Sequence, residues 1–270
     1  MTRFVRIATL ALAGLVTALF AGAQDDGLQM LRDLREQSRQ SPDRLDLRLA
    51  VGNAAVQTKE YDLALQTFQD VLAALPPDSP EAGDVYLRIG ETARRKGDLE
   101  KAAASLRRAG ELLPANATIP GTLAMVLEAG GKFAEAQEAY RAAIKLDPEN
   151  AIALNNLAYL LSSHGGNLDE ALSLAIRANE TAAAADSADF ADTLAMVHAK
   201  MGHLPEAEAI LVGIVSREPK TEEFRGHLAQ VLAQKAGRSD IEEDLLGAIR
   251  AEPTSANIQW IGELAARVAK

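Results

Sequence analysis

The stretch VGNAAVQTKEYDLALQTFQDVLAALP, residues 51–76, reads as two short helices joined by a turn and closed by a proline. Gly52 is the small residue of the first helix, and Ala64, within Tyr61-Asp62-Leu63-Ala64, is that of the second. Small residues at a helix–helix crossing let the backbones approach closely. Val51 and Phe68 are the larger residues expected to interlock around that point. Pro76 ends the pair, because proline cannot continue the hydrogen-bond ladder of a helix.

The same marks recur along the chain. Ala64 is followed by Ala102, Ala136, Ala171 and Ala207 at intervals of 34 to 38 residues. Gly52 is followed by Gly90, Ala124, Ala158, Ala195 and Ala229, and Pro76 by Pro114, Pro148, Pro219 and Pro253. Larger apolar residues keep the register: Ile89, Leu123, Leu157 and Leu194 on first helices, Leu106, Tyr140 and Leu211 on second helices. One hairpin cannot bury its own apolar face, so neighbours must stack.

This spacing resembles the tetratricopeptide repeat, with its Trp-x2-Leu-Gly-x2-Tyr, Ala-x3-Phe and Pro marks. Repeat two matches with Tyr86, Ile89-Gly90, Gly97-Asp98, Ala102 and Pro114, and repeat three with Gly131, Ala136, Tyr140 and Pro148. The resemblance implies an all-α fold, a right-handed α-solenoid of stacked antiparallel helix pairs. Repeats are expected at 45–78, 83–116, 117–150, 151–187, 188–221 and, in degenerate form, 222–255. A capping helix is expected at 24–44, with Leu28, Met30, Leu31 and Leu34 as its apolar residues. Another is expected at 256–270, where Ile258, Ile261, Leu264, Ala265 and Val268 share a face.

Three places depart from the pattern. Ser79-Pro80-Glu81 reads as an N-cap followed by proline at the first helical position, which lengthens the first helix of repeat two by about one turn. Repeat four carries an extra residue in its Gly165-Gly166-Asn167 turn and Ala183 in place of the closing proline. Repeat six has Ile241 where the others have alanine, so its helices are expected to sit further apart.

Composition limits the partners. The chain of 270 residues is 48% hydrophobic, 4% aromatic and without cysteine, and its net charge is −10. An apolar content this high, carried by Ala, Leu, Ile and Val, suits packed helices. Without cysteine there is no disulfide to staple the fold. The acidic balance argues against nucleic acid, whose phosphates call for Lys and Arg.

The first residues read as a Sec-type export signal. Arg3 and Arg6 precede an apolar run from Ile7 to Phe20, and Ala21-Gly22-Ala23 fits signal-peptidase cleavage. Residues 1–23 are thus read as a signal peptide, leaving a periplasmic or secreted chain that begins at Gln24. The other reading is an uncleaved anchor, for which the run is short against the roughly 20 residues of a membrane span.

No catalytic constellation stands out, and neither cofactor nor small-molecule substrate is expected. His164, His198, His203 and His227 lie in no His-Glu-x2-His arrangement, so no metal site is expected. His198 is read as a core or groove residue and His203 as solvated in its turn. Ser162-Ser163-His164 reads as a polar turn, Gly130-Gly131-Lys132 as a helix–helix turn, and Glu222-Glu223 as a solvated face.

In the family that this chain resembles, first helices line the concave, partner-binding face. Carried over by register, that face holds Leu49, Asn53, Leu87, Glu91, Arg94, Arg95, Met125, Asn155, Tyr159, Asp192, Met196 and Lys200, with Gln57, Ser163 and Gln230 alongside. Leu87, Met125, Tyr159 and Met196 would form an apolar track, and Asn155-Asn156 would either hold a peptide backbone or cap local structure. The carboxylate clamp of some family members is matched by Asn53 alone, so no such clamp is expected.

The segment 154–161, with Asp192-Thr193-Leu194-Ala195 further on, is similar to tetratricopeptide proteins of bacterial envelopes that serve secretion, polysaccharide export or outer-membrane assembly. The expected function is a non-catalytic scaffold or adaptor of the envelope, binding a partner peptide or helix within a secretion or assembly complex. The alternatives are a structural self-assembling protein, for which Trp260 is the deciding residue, and a hydrolase, which would need a pocket with perturbed titratable groups.

Overall fold

A computed structural model describes residues 26–181 and 188–251. The export signal, Ala183, Pro253, Trp260 and the C-terminal capping helix lie outside the described residues. Helix α1 spans 26–40. Then come α2 (Leu45–Gln57), α3 (Tyr61–Leu72), α4 (Pro80–Lys96), α5 (Leu99–Leu112), α6 (Thr118–Ala129) and α7 (Phe133–Leu146). The remainder is α8 (Ala151–Ser163), α9 (Leu168–Glu180), α10 (Ala188–Lys200), α11 (Leu204–Arg217), α12 (Glu222–Lys235), a short 3-10 turn (Ser239–Ile241) and α13 (Glu242–Ala251). No strand occurs among the described residues, and none of the described helices is long and apolar enough to cross a membrane. The fold is all-α, built of consecutive helix pairs.

Two compact units divide the chain between Gly131 and Lys132. In the first, α2 pairs with α3 and α4 with α5, while α6 packs on α5. Its core runs from Leu31 of α1 through Val51, Phe68, Ile89 and Leu106 to Ile119 and Val126. Leu31 thus ties α1 to the stack, whereas Met30, expected on the same apolar edge, is 62% exposed. In the second unit α8 pairs with α9, α10 with α11 and α12 with α13, and α10 also touches α8 and α12. Ala195, Leu211, Ile214, Leu228 and Leu232 share one core there.

The recurring alanines Ala64, Ala102, Ala136, Ala171 and Ala207 are fully buried, each as the fourth residue of its helix. The facing residue is not the one expected in every pair. A Cβ added to Gly52 would overlap the Phe68 ring, and one added to Gly90 would lie 2.6 Å from Leu106 Cγ. The first-helix glycines therefore make room chiefly for the large residue one turn beyond the alanine. Repeat six also corrects the sequence reading. Ile241 ends the 3-10 turn, half-buried, and α13 starts only at Glu242, so its buried residues are Leu245 and Ile249.

Local signals set the helix ends. Ser79 Oγ accepts the Ala82 N–H at 3.2 Å with Pro80 at the first turn, and α4 runs 17 residues against 12 to 14 in the other first helices. Asp98, Asn150 and Asn167 cap α5, α8 and α9 in the same way. Between first and second helices the chain passes once through the left-handed region, at Gly97, Gly131, Gly165, Gly202 and Gly237. Repeat one does so with Lys59, at φ 63°. In repeat four Gly165 takes that turn while Gly166 lies against Leu161, where a Cβ would come within 2.5 Å of Leu161 Cδ2. That is the role of the extra residue. Before Pro114, Pro148 and Pro219, residues Leu113, Asp147 and Glu218 leave the helical region, as the proline ring demands.

Candidate functional site

In the second unit the outward faces of α8, α10 and α12 border one cleft of about 590 Å³. Helical spacing puts Asn155, Tyr159 and Ser162 on one face of α8, Asp189, Asp192, Met196 and Lys200 on one face of α10, and Glu223, His227 and Gln230 on one face of α12. Tyr159 is 51% exposed, a large side chain held open on the rim. Met196 is half-buried beside it in the lining, and Lys200 is exposed. Seven of the expected groove residues, Asn155, Tyr159, Ser163, Asp192, Met196, Lys200 and Gln230, thus line this cleft.

The polar floor is built from paired and unpaired groups. His227 Nδ1–H donates to both carboxylate oxygens of Asp192 at 2.9 Å. That hydrogen bond raises the His227 pKa above the usual histidine value, and partial burial works against it. Asp192 is buried to 7% exposure, deep for a carboxylate, and its partner explains why it is tolerated there. Asn155 is 8% exposed, and its Oδ1 is buried without a hydrogen-bond partner. Its Nδ2 reaches Asn156 Oδ1 only at 3.5 Å. The ligating atoms of Asp192, Glu223 and His227 lie within 4.8 Å of one another.

The sequence reading placed neither Glu223 nor His227 in the groove, and it named His198 as the core or groove histidine. His198 instead lies half-buried near His203, with ring centroids 5.7 Å apart and Nδ1 atoms 3.5 Å apart. Burial, and secondly the neighbouring His203, lower the His198 pKa. His164 packs on the Phe133 ring with centroids 3.7 Å apart, and Ser162 Oγ donates to the Tyr159 carbonyl.

The first unit has a smaller cleft of about 330 Å³ that Asn53, Gln57, Arg88, Glu91 and Arg95 line. Arg88 donates to Asn53 Oδ1 at 2.9 Å, which occupies the single residue that matched the carboxylate clamp. Leu49 and Leu87 pack half-buried against the core of that unit and line neither of these two clefts. Arg94 is half-buried, with its Nε enclosed and unpaired, and is likewise absent from both linings. Met125 is 38% exposed on α6. The expected apolar track therefore loses Leu87, because a leucine at that register gains more from packing than from solvent.

The molecule is thus a tandem-repeat protein of helix pairs whose first helices carry side chains around open clefts. Family models described as "Tetratricopeptide repeat" match residues 17–79, 83–116 and 122–188, together more than half of the chain, which belongs to the tetratricopeptide-repeat family. Proteins of this family are interaction scaffolds and generally non-catalytic. A stretch of 76 residues, 28% of the chain, is 37% identical to the type IV pilus assembly protein PilF of Pseudomonas aeruginosa and covers 30% of that protein. The chain spans less than a third of the length of the curated relatives it matches. A tetratricopeptide repeat protein from Parabacteroides merdae shares the fold, with a TM-score of 0.65 and 18% identity over 83% of this chain and 91% of that one. PilW, a type IV pilus biogenesis factor, does so with a TM-score of 0.61 and 18% identity over 80% of this chain and 97% of its own.

Proposed function

We propose that this protein is a non-catalytic adaptor of the bacterial cell envelope, exported by its first residues, and that it holds an extended segment or a helix of a partner protein in the cleft of α8, α10 and α12. The observation that carries the reading is Tyr159. A large aromatic side chain, half in solvent on the rim of a cleft that also contains Met196, supplies apolar area where a partner would cover it. The polar lining around it supplies orientation rather than bulk affinity. The similarity to a pilus assembly protein and to a pilus biogenesis factor supports a place in an envelope assembly complex.

The test is partner capture from an envelope fraction with the full chain as bait. Tyr159→Glu combined with Met196→Glu should abolish capture while the circular dichroism melt stays close to that of the parent, since Tyr159 contributes little to the core. Capture that survives the double change would place the binding site elsewhere. Export is checked by fractionation: the expected product is a periplasmic or secreted chain that begins at Gln24.

A further inference from the structure

We propose that the cleft of α8, α10 and α12 binds a divalent transition-metal cation of the zinc class through Asp192, Glu223 and His227. The three residues come from two neighbouring helices. Glu223 and His227 are four apart on α12 and so share a face, while Asp192 reaches across from α10. Their ligating atoms lie within 4.8 Å of one another, and a cation held by His227 Nδ1 and Asp192 takes the place of the Nδ1 proton now shared between them at 2.9 Å, which is released to solvent. In a tetrahedral zinc site with bonds of about 2.1 Å, ligand atoms stand about 3.4 Å apart. Glu223, which is exposed and long, has the freedom to close that gap by a change of rotamer.

A second observation points the same way. The Asp192–His227 hydrogen bond accounts for two of the polar groups on the cleft floor. It does not account for Asn155 Oδ1, which is enclosed, unpaired and part of the same lining. A stranded carbonyl oxygen in the interior costs free energy and calls for an explanation. Asp192, Glu223 and the Asn155 carbonyl are all acceptors. A hydrated cation satisfies such a set, because the waters it carries present only donors. One imidazole and two carboxylates suit zinc, cobalt or manganese, whereas calcium takes oxygen ligands in greater number. Three protein ligands also leave a coordination position for water or for a side chain of a partner.

This inference stands apart from the peptide reading, because it is tested with the cation alone. The full chain, stripped by a chelator, is titrated with Zn²⁺ by calorimetry and with Co²⁺ by visible absorption. One equivalent should bind. Glu223→Gln, His227→Gln and Asp192→Asn should each weaken binding roughly tenfold or more, in line with the loss of a ligand. His198→Gln should leave it unchanged, since His198 lies beside His203 and does not line this cleft. Circular dichroism checks the fold of each variant, and the exposed Glu223 provides one that keeps it. Absence of saturable binding, binding that survives Glu223→Gln or His227→Gln, or binding lost in His198→Gln would overturn the site.

Discussion

His227 of α12 and Asp192 of α10 lie on neighbouring first helices, and the imidazole Nδ1–H of one donates to both carboxylate oxygens of the other at 2.9 Å. Arg88 of α4 likewise donates to Asn53 Oδ1 of α2 in the first unit. Side-chain hydrogen bonds thus join neighbouring first helices in both units. Asp192→Ala should lower stability by about 1–3 kcal/mol, because it strands a half-buried donor. Asp192→Asn keeps an acceptor oxygen and should cost less. Urea denaturation of the two variants compares them, and equal losses would mean that the hydrogen bond contributes nothing.

Glycines in these helices divide by what surrounds them. Gly52 is buried against the Phe68 ring, which has no exposed surface and no room to withdraw. Gly52→Ala should therefore destabilise by about 1–3 kcal/mol through overpacking, which outweighs the gain in helix propensity. Gly213 of α11 has nothing within 4 Å of a built Cβ. There the propensity gain stands alone, and Gly213→Ala should stabilise by about 0.5–1 kcal/mol. Thermal melts of the two variants should shift in opposite directions.

Lys59 is the non-glycine residue at a turn position where five other repeats use glycine, and its φ is 63°. The left-handed region costs an ordinary side chain about 1–2 kcal/mol, and glycine returns part of that through its freer unfolded chain. Lys59→Gly should raise stability by about 0.5–1 kcal/mol on this balance. Lys59→Val should lower it. A denaturation midpoint that fell with glycine would show that the lysine is held by something other than its backbone.

His198 should titrate below an ordinary histidine. Burial and the neighbouring His203 favour its neutral form, and Glu206 opposes them. With its folded pKa below the unfolded value of about 6.5, its contribution to stability is full above that value. It falls as the pH drops through about 6.5 towards the folded pKa. His203→Ala removes the like charge and should move the His198 midpoint upward in an NMR titration. A midpoint that stayed in place would assign the whole shift to burial.

Much of the fold was legible in the chain because its marks are local. Small residues, turn glycines, the Ser79 cap and the prolines each act within a few residues, so they read from sequence without tertiary knowledge. Ile241 shows the limit. A period of 34 residues aligned it with the alanines, yet the chain inserts a 3-10 turn before α13 and buries Leu245 and Ile249 in that helix. Period counting cannot see such a shift, because the residues of the turn are counted as if they were helix.

The candidate site was half legible. Register found Asn155, Tyr159, Ser163, Asp192, Met196, Lys200 and Gln230. It missed Glu223 and His227, because the step from Ala195 to Ala229 is 34 residues and carries Asp192 onto Gly226, whereas its partner His227 lies 35 residues on. Leu49, Leu87 and Arg94 sit at groove positions by register but turn partly inward, since side-chain direction depends on the space that neighbouring helices leave.

The sequence by itself determined that this is a stack of helix pairs, where caps, turn glycines and prolines set helix ends, and which small residues are buried at the crossings. Those properties follow from propensity, capping and periodicity, which act along the chain. The tertiary structure alone decided which polar residues share a cleft floor, that Asn155 is left with an unpaired oxygen, and that Tyr159 stays open. Such outcomes depend on the spacing and rotation of helices brought together from distant positions, and no short-range rule contains them.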